Sequence, residues 1–185
     1  MDVGSISGGS GIAGMSNLSR DYLNYIIQNL AQLDSIADII IVDTGAGISD
    51  AVLEFLVASG EILLVTTPEP TSITDSYSLL KALYRHPRFE ESATKVKMVA
   101  NRVAKESEGQ ILFDKLNAVV SRYLKIPMTY LGCVPEDAQL PRSVMQQTPV
   151  SMLNPTAKAS LAYETMAARL LGKEESERQP KRGMA

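Results

Sequence analysis

Residues 39–49 read IIIVDTGAGIS, in which four apolar residues end on a carboxylate, Asp43, and a glycine-rich turn follows at once. In phosphate-handling folds such a strand-end carboxylate holds a magnesium ion, usually through a water, while glycines such as Gly45 and Gly47 let backbone N–H groups approach a phosphate. The plainer reading is an Asp that caps the next helix. Residues 65–75, VTTPEPTSITD, form a turn that Pro68 and Pro70 fix in an extended path, with Thr71 or Ser72 able to cap the helix behind it. Asn101 and Arg102 follow the apolar run KVKMVAN, and residues 132–140, GCVPEDAQL, place Pro135, Glu136 and Asp137 after another run. A side-chain amide can read an adenine edge, and a Pro-Glu-Asp turn can wall the same pocket. Taken singly, each of these is only a well-made loop.

The elements that would position these groups are legible as two alternating periods. Four short apolar runs, residues 38–43 (DIIIVD), 61–67 (EILLVTT), 95–101 (KVKMVAN) and 128–134 (MTYLGCV), read as strands buried on both faces, since none alternates cleanly. Between them lie helix-length segments. Residues 20–33 open after Ser19, an N-cap type, with Leu23, Ile26, Ile27 and Leu30 on one face, and residues 72–84 repeat this with Ile73, Tyr77, Leu80 and Leu83. Residues 109–123 place Ile111, Leu112, Lys115, Leu116, Val119 and Tyr123 together, and residues 155–171 form a last amphipathic helix that Gly172 stops. Alternating strands and helices define an α/β fold with a mainly parallel, doubly covered sheet, whose ligands bind at the carboxyl ends of the strands. The ends at Asp43, Thr67, Asn101 and Val134 are therefore expected along one edge.

Composition narrows the function classes. With 185 residues, 45% hydrophobic and 21% charged, the chain has the make-up of a globular domain, here read as a single α/β domain over residues 1–172 and a solvated, charged tail over 173–185. One cysteine, Cys133, and one histidine, His86, exclude an internal disulfide and the usual zinc sites, and fit a reducing, cytoplasmic setting. Cys133 lies inside an apolar run, where packing explains it better than catalysis; His86 reads as a solvated helix end. A formal net charge of −3 argues against binding nucleic acid through charge alone. No uninterrupted apolar run is long enough to cross a membrane.

In this order, GGSGIAGMSNLS, IIIVDTGAGIS, VTTPEPTSITD, NRV, YLGCVPED and VMQQTPV resemble the MinD/ParA family of deviant P-loop ATPases, over about residues 3–172. The GGSGI, DTGAGIS and Gln146-Gln147 segments are most similar to its FlhG branch, which regulates the number and placement of bacterial flagella. The resemblance implies ATP and magnesium as cofactors of the intact family, and flagellar assembly factors or a second copy of the chain as protein partners. It implies that Asp43 is the switch carboxylate on the magnesium side, that residues 44–47, with Thr44, Gly45 and Gly47, sense the γ-phosphate, and that Asn101, Arg102, Pro135, Glu136 and Asp137 form the adenine pocket. It places Glu69 on the face of the family's sandwich dimer.

The family's K-G-G-V-G-K-[ST] loop, whose lysines hold the phosphates, is not among these residues. The chain thus reads as the C-terminal two thirds of the family domain without its P-loop strand, a truncated form inactive in ATP hydrolysis on its own. Residues 9–14 satisfy G-x-G-x-x-G, but no good strand precedes them and the helix starts too late for a dinucleotide site. Other readings stay open: an interaction module of the same fold without nucleotide, a ParA-like partitioning protein, or a relative of the cobyrinic acid diamide synthases. The tail's four basic residues are offset by three glutamates, so no stable membrane binding is expected.

Overall fold

A computed structural model describes residues 3–5, 20–91 and 93–172. The chain divides into two compact units, Met1–Ala58 and Ser59–Ala185.

The first unit holds helix α1 (Arg20–Leu30), a 3-10 turn (Ala31–Ser35) and helix α2 (Asp50–Ala58). Leu23 is fully buried, and the Ser49 hydroxyl accepts the Val52 N–H at 3.4 Å, an N-cap for α2 with Asp50 in its first turn. The run 38–43 is not a strand, contrary to the sequence reading. It forms no ladder, and Ile39 and Ile41 are 60% and 79% exposed. A strand's hydrogen bonds all lie in its neighbours, so β-branched apolar residues without a ladder partner cannot hold one. Asp43 is accordingly not a strand end.

The second unit is built on a three-stranded sheet, β1 (Glu61–Thr66), β2 (Lys95–Val103) and β3 (Met128–Pro135), in that spatial order and parallel throughout. Helices α3 (Pro70–Tyr84) and α4 (Glu106–Tyr123) join consecutive strands; α5 (Gln139–Met145), α6 (Val150–Leu153) and α7 (Lys158–Leu170) follow β3. One sheet face carries Ile62, Leu64, Val96, Met98 and Ala100, all buried, under α3 and α4. The other packs Val99, Leu131 and Val134 against Ala159 and Met166 of α7. Burying each such aliphatic chain contributes roughly 1.5–3 kcal/mol. This two-sided cover is what a parallel sheet requires, although Leu63 and Val65 of the edge strand β1 stay 42% and 57% exposed.

One helix face differs from expectation. On α4 the buried row is Gly109, Leu112, Leu116 and Val120, while Ile111, Val119 and Tyr123 face outward. Gly109 decides this: a methyl group there would collide with the Tyr130 hydroxyl and would lie 2.9 Å from Cys133 Cβ. Only the glycine side of α4 can approach the sheet this closely. On α7, Ala159, Ser160 and Met166 are buried, whereas Leu161, Leu170 and Leu171 are exposed. The helix also begins later than residue 155, because Asn154 turns the chain by accepting the Thr156 N–H at 3.2 Å. It ends as anticipated on Gly172, at φ +66. The glycine motif at 9–14, the Ser19 cap and the tail at 173–185 lie outside the described residues.

Candidate functional site

The carboxyl ends of β1, β2 and β3 bring together most of the residues singled out in the sequence. After β1, the Ser72 hydroxyl accepts the Thr67 N–H at 2.9 Å and pairs with the Thr66 hydroxyl at 3.0 Å, which folds the Pro68–Pro70 turn back over the strand end. Pro70 opens α3, where its missing N–H costs nothing, and Glu69 takes the N-cap position in extended conformation. Thr67 donates its hydroxyl to the Glu69 carboxylate at 3.3 Å.

At the end of β2, Arg102 occupies the left-handed region at φ 57, where pairing with β3 slips between Asn101 and Val103. Asn101 stabilises this turn, its Oδ1 accepting the Arg102 N–H at 3.0 Å. Among the described residues its amide NH2 has no protein partner. The bulge throws the Arg102 side chain toward β1, where Nη1 lies 3.5 Å from Glu69 Oε1. Both side chains are about 60% exposed, so the pair positions more than it stabilises.

The ladder resumes beyond the bulge, with the Glu136 N–H donating to the Val103 carbonyl at 2.9 Å, so the 135–137 turn sits directly beside Asn101 and Arg102. Asp137 is differently placed from its two neighbours. Its Oδ1 accepts the Gln139 N–H at 2.8 Å and its Oδ2 the Ala159 N–H at 3.0 Å. These backbone donors, Gln139 first, then Ala159, hold its carboxyl below the usual carboxylate range. Both oxygens are engaged within the protein.

The Asp43 loop belongs to the other unit. Asp43, Gly45 and Gly47 are exposed there and Thr44 is half-buried; Gly47 adopts φ 102, a conformation that favours glycine. An exposed carboxylate followed by open backbone N–H groups is a donor set that suits magnesium held jointly with phosphate, since that ion commonly takes one or two protein carboxylates. Among the described residues no group of three or more His, Cys, Asp or Glu could hold a metal alone. None of their helices is long and apolar enough to cross a membrane.

Sequence reasoning missed Arg169, whose Nη1 donates to the Leu131 carbonyl of β3 at 2.8 Å, and Gly109. A glycine inside a strongly periodic helix was the available signal for the second. Cys133 is a free, half-buried thiol on β3. Burial pushes the neighbouring Tyr130 phenol up, with Cys133 adding to the effect.

Parallel strands whose carboxyl ends gather an amide, a guanidinium and two turns define the class: an open α/β fold with its candidate site at the carboxyl edge of the sheet. No protein-family profile matches the chain. Curated relatives do match, among them the antiactivator FleN of Pseudomonas aeruginosa, 37% identical over 161 residues, covering 87% of this chain and 56% of FleN, and the flagellum site-determining protein YlxH of Helicobacter pylori, 31% identical over 140 residues, covering 75% and 46%. In fold, the chain is similar to MinD of Pyrococcus horikoshii in complex with Mg-ADP (TM-score 0.63, 16% identity, 89% of this chain and 65% of that one). It is also similar to a ParA family ATPase of Chlorobium tepidum (TM-score 0.61, 21% identity, 80% and 56%). The chain belongs to the MinD/ParA ATPase family, on its FlhG-type branch. It spans about half the length of the curated relatives it matches.

Proposed function

We propose that this chain is part of an FlhG-type nucleotide switch that regulates the number or placement of flagella through protein partners. The observation that carries the reading is the convergence of Asn101, Arg102, Glu69 and the 135–136 turn at the ends of three adjacent parallel strands, together with the likeness to FleN and YlxH. In this reading Asn101 offers its free amide NH2 to the adenine edge, Pro135 and Glu136 wall the base, and Glu69 faces a partner. The family resemblance assigns magnesium and γ-phosphate to Asp43 and residues 44–47, which belong to the other unit.

ATP, when bound, supplies the energetic difference between the two switch states. These 185 residues alone do not hydrolyse it, because phosphoryl transfer depends on the positioning and charge stabilisation that the P-loop lysines provide, and no K-G-G-V-G-K-[ST] sequence occurs among them. The test is phosphate release by the purified chain in Mg-ATP. Release at the no-enzyme rate is expected; turnover above it that disappears in an Asp43→Ala variant contradicts the reading. A nucleotide-free interaction module is the second reading, favoured by the exposed, unpaired run that precedes Asp43. Absence of any ATP binding would select it.

A further inference from the structure

Helices α5 and α7 both start on a residue that cannot cap them. The N-cap of α5 is Ala138 and that of α7 is Ala157, and neither has a side-chain cap. Alanine is a poor N-cap because it offers no acceptor to the exposed N–H groups of the first turn. One carboxylate makes good both losses. Asp137 Oδ1 accepts the Gln139 N–H of α5 at 2.8 Å, and Oδ2 accepts the Ala159 N–H of α7 at 3.0 Å, across 22 residues of sequence, with the Lys158 N–H contributing to the same carboxylate. The Glu136 N–H, one residue earlier, is bonded to Val103 of β2. The 135–137 turn is thus hydrogen-bonded on one side to the end of β2 and on the other to the first turn of α7.

We propose that Asp137 is a positioning residue that locks the 135–139 loop and the N-terminus of α7 into one unit, so that a group bound against Pro135 and Glu136 is felt on α7. The part concerning a bound group rests on the nucleotide reading above. Asp137 is therefore not a base-contacting residue: its oxygens are spent on the helices, and its effect on a ligand is exerted through the loop. Arg169 fastens the other end of α7 to the Leu131 carbonyl, so the helix is held at both ends to β3 and its flanking loop. Only the Asp137 end adjoins the candidate site.

Amide hydrogen exchange on the full chain tests this. Without ligand, the Gln139 and Ala159 amides should open together in the native protein, and both should exchange about tenfold faster in Asp137→Asn, which replaces one acceptor oxygen by a donor. Asp137→Glu should partly restore the protection. Arg169→Gln, the control that keeps the carboxylate, should loosen the C-terminal turn of α7 and leave the Gln139 and Ala159 pair coupled. Unequal opening of the two amides in the native chain, or unchanged rates in Asp137→Asn, overturns the proposal. If Asp137→Asn does not fold, the Glu and Arg169 variants still decide it: a Glu variant with no excess opening at either amide, or an Arg169 variant that uncouples them, is contrary.

With Mg-ATP added, the native chain should gain protection at Glu136 and also at Ala159, whereas Asp137→Asn should gain it at Glu136 only. Protection at Ala159 that persists in Asp137→Asn contradicts the relay. No protection anywhere, with the ligand-free coupling intact, overturns the nucleotide reading alone and leaves the lock supported.

Discussion

Gly109 of α4 sits against the Tyr130 hydroxyl of β3 so closely that no methyl group fits between them. Gly109→Ala would gain about 1 kcal/mol in helix propensity, but its Cβ would also stand 2.9 Å from Cys133 Cβ and 3.2 Å from Ala100 Cβ, neither of which can rotate away. Overpacking of this kind costs about 1–3 kcal/mol. With several close contacts at once the cost lies toward the upper end, so net destabilisation of up to about 2 kcal/mol is expected in urea unfolding. A variant as stable as the native chain would show that α4 does not pack on its glycine.

Arg102 bears backbone strain at φ 57 and a solvent-exposed ion pair with Glu69. Replacing it by glycine relieves a left-handed conformation that costs about 1–2 kcal/mol in other residues, offset by about 0.5–1 kcal/mol of added unfolded-chain entropy. Arg102→Gly should therefore leave stability unchanged or slightly raised, while weakening nucleotide binding if the bulge serves the site. A thermal melt showing a loss above ~1 kcal/mol would mean that the ion pair matters more than exposed pairs usually do.

Asp137 makes stability pH-dependent in a defined window. Its folded pKa is depressed by backbone N–H donors, so its contribution is complete above the unfolded value of 3.8 and is lost as pH falls below that toward the folded value. Stability of the native chain and of Asp137→Asn, measured against pH, should differ by a constant amount above about pH 5 and converge in acid. Curves that run parallel through that window would contradict the assignment.

The extent of the fold that was legible follows from where each determinant lies. The runs 61–67, 95–101 and 128–134 announce themselves because each is apolar and β-branched and finds a partner next to it. The run 38–43 is just as apolar, yet pairing is a property of two segments, and its own residues cannot report that no ladder forms. The face of α4 was mis-phased because counting large apolar residues gives Ile111, Val119 and Tyr123 weight, whereas the closeness allowed at Gly109 decides which side sits down. At the site, Asn101, Arg102, Glu69 and the 135–136 turn were legible as strand-end residues. The double capping by Asp137 was not, since Ala159 lies 22 positions away and the bond exists only once α7 has docked.

The unpaired state of 38–43 has its own consequence. Ile39 and Ile41 are largely exposed, so changing both to lysine should shift stability by no more than ~0.5 kcal/mol and should raise solubility. Loss of several kcal/mol on unfolding would place these side chains in a core.

Residues 173–185 carry Lys173, Arg178, Lys181 and Arg182 against Glu174, Glu175 and Glu177. At about 1 kcal/mol for each basic group near an anionic surface, less the acidic repulsion, the attraction is too small to hold a protein there. Co-sedimentation with anionic liposomes at physiological salt should leave the chain in the supernatant. Binding that is abolished by deleting 173–185 would reverse this expectation.

The central claim is that the ends of β1, β2 and β3 hold a nucleotide base. Titration of the 185-residue chain with a fluorescent ATP analogue in magnesium, monitored by anisotropy, tests it most directly. Saturable binding is expected, weakened about tenfold in Asn101→Ala through loss of the amide donor. No saturable binding, or binding that Asn101→Ala leaves untouched, would contradict it.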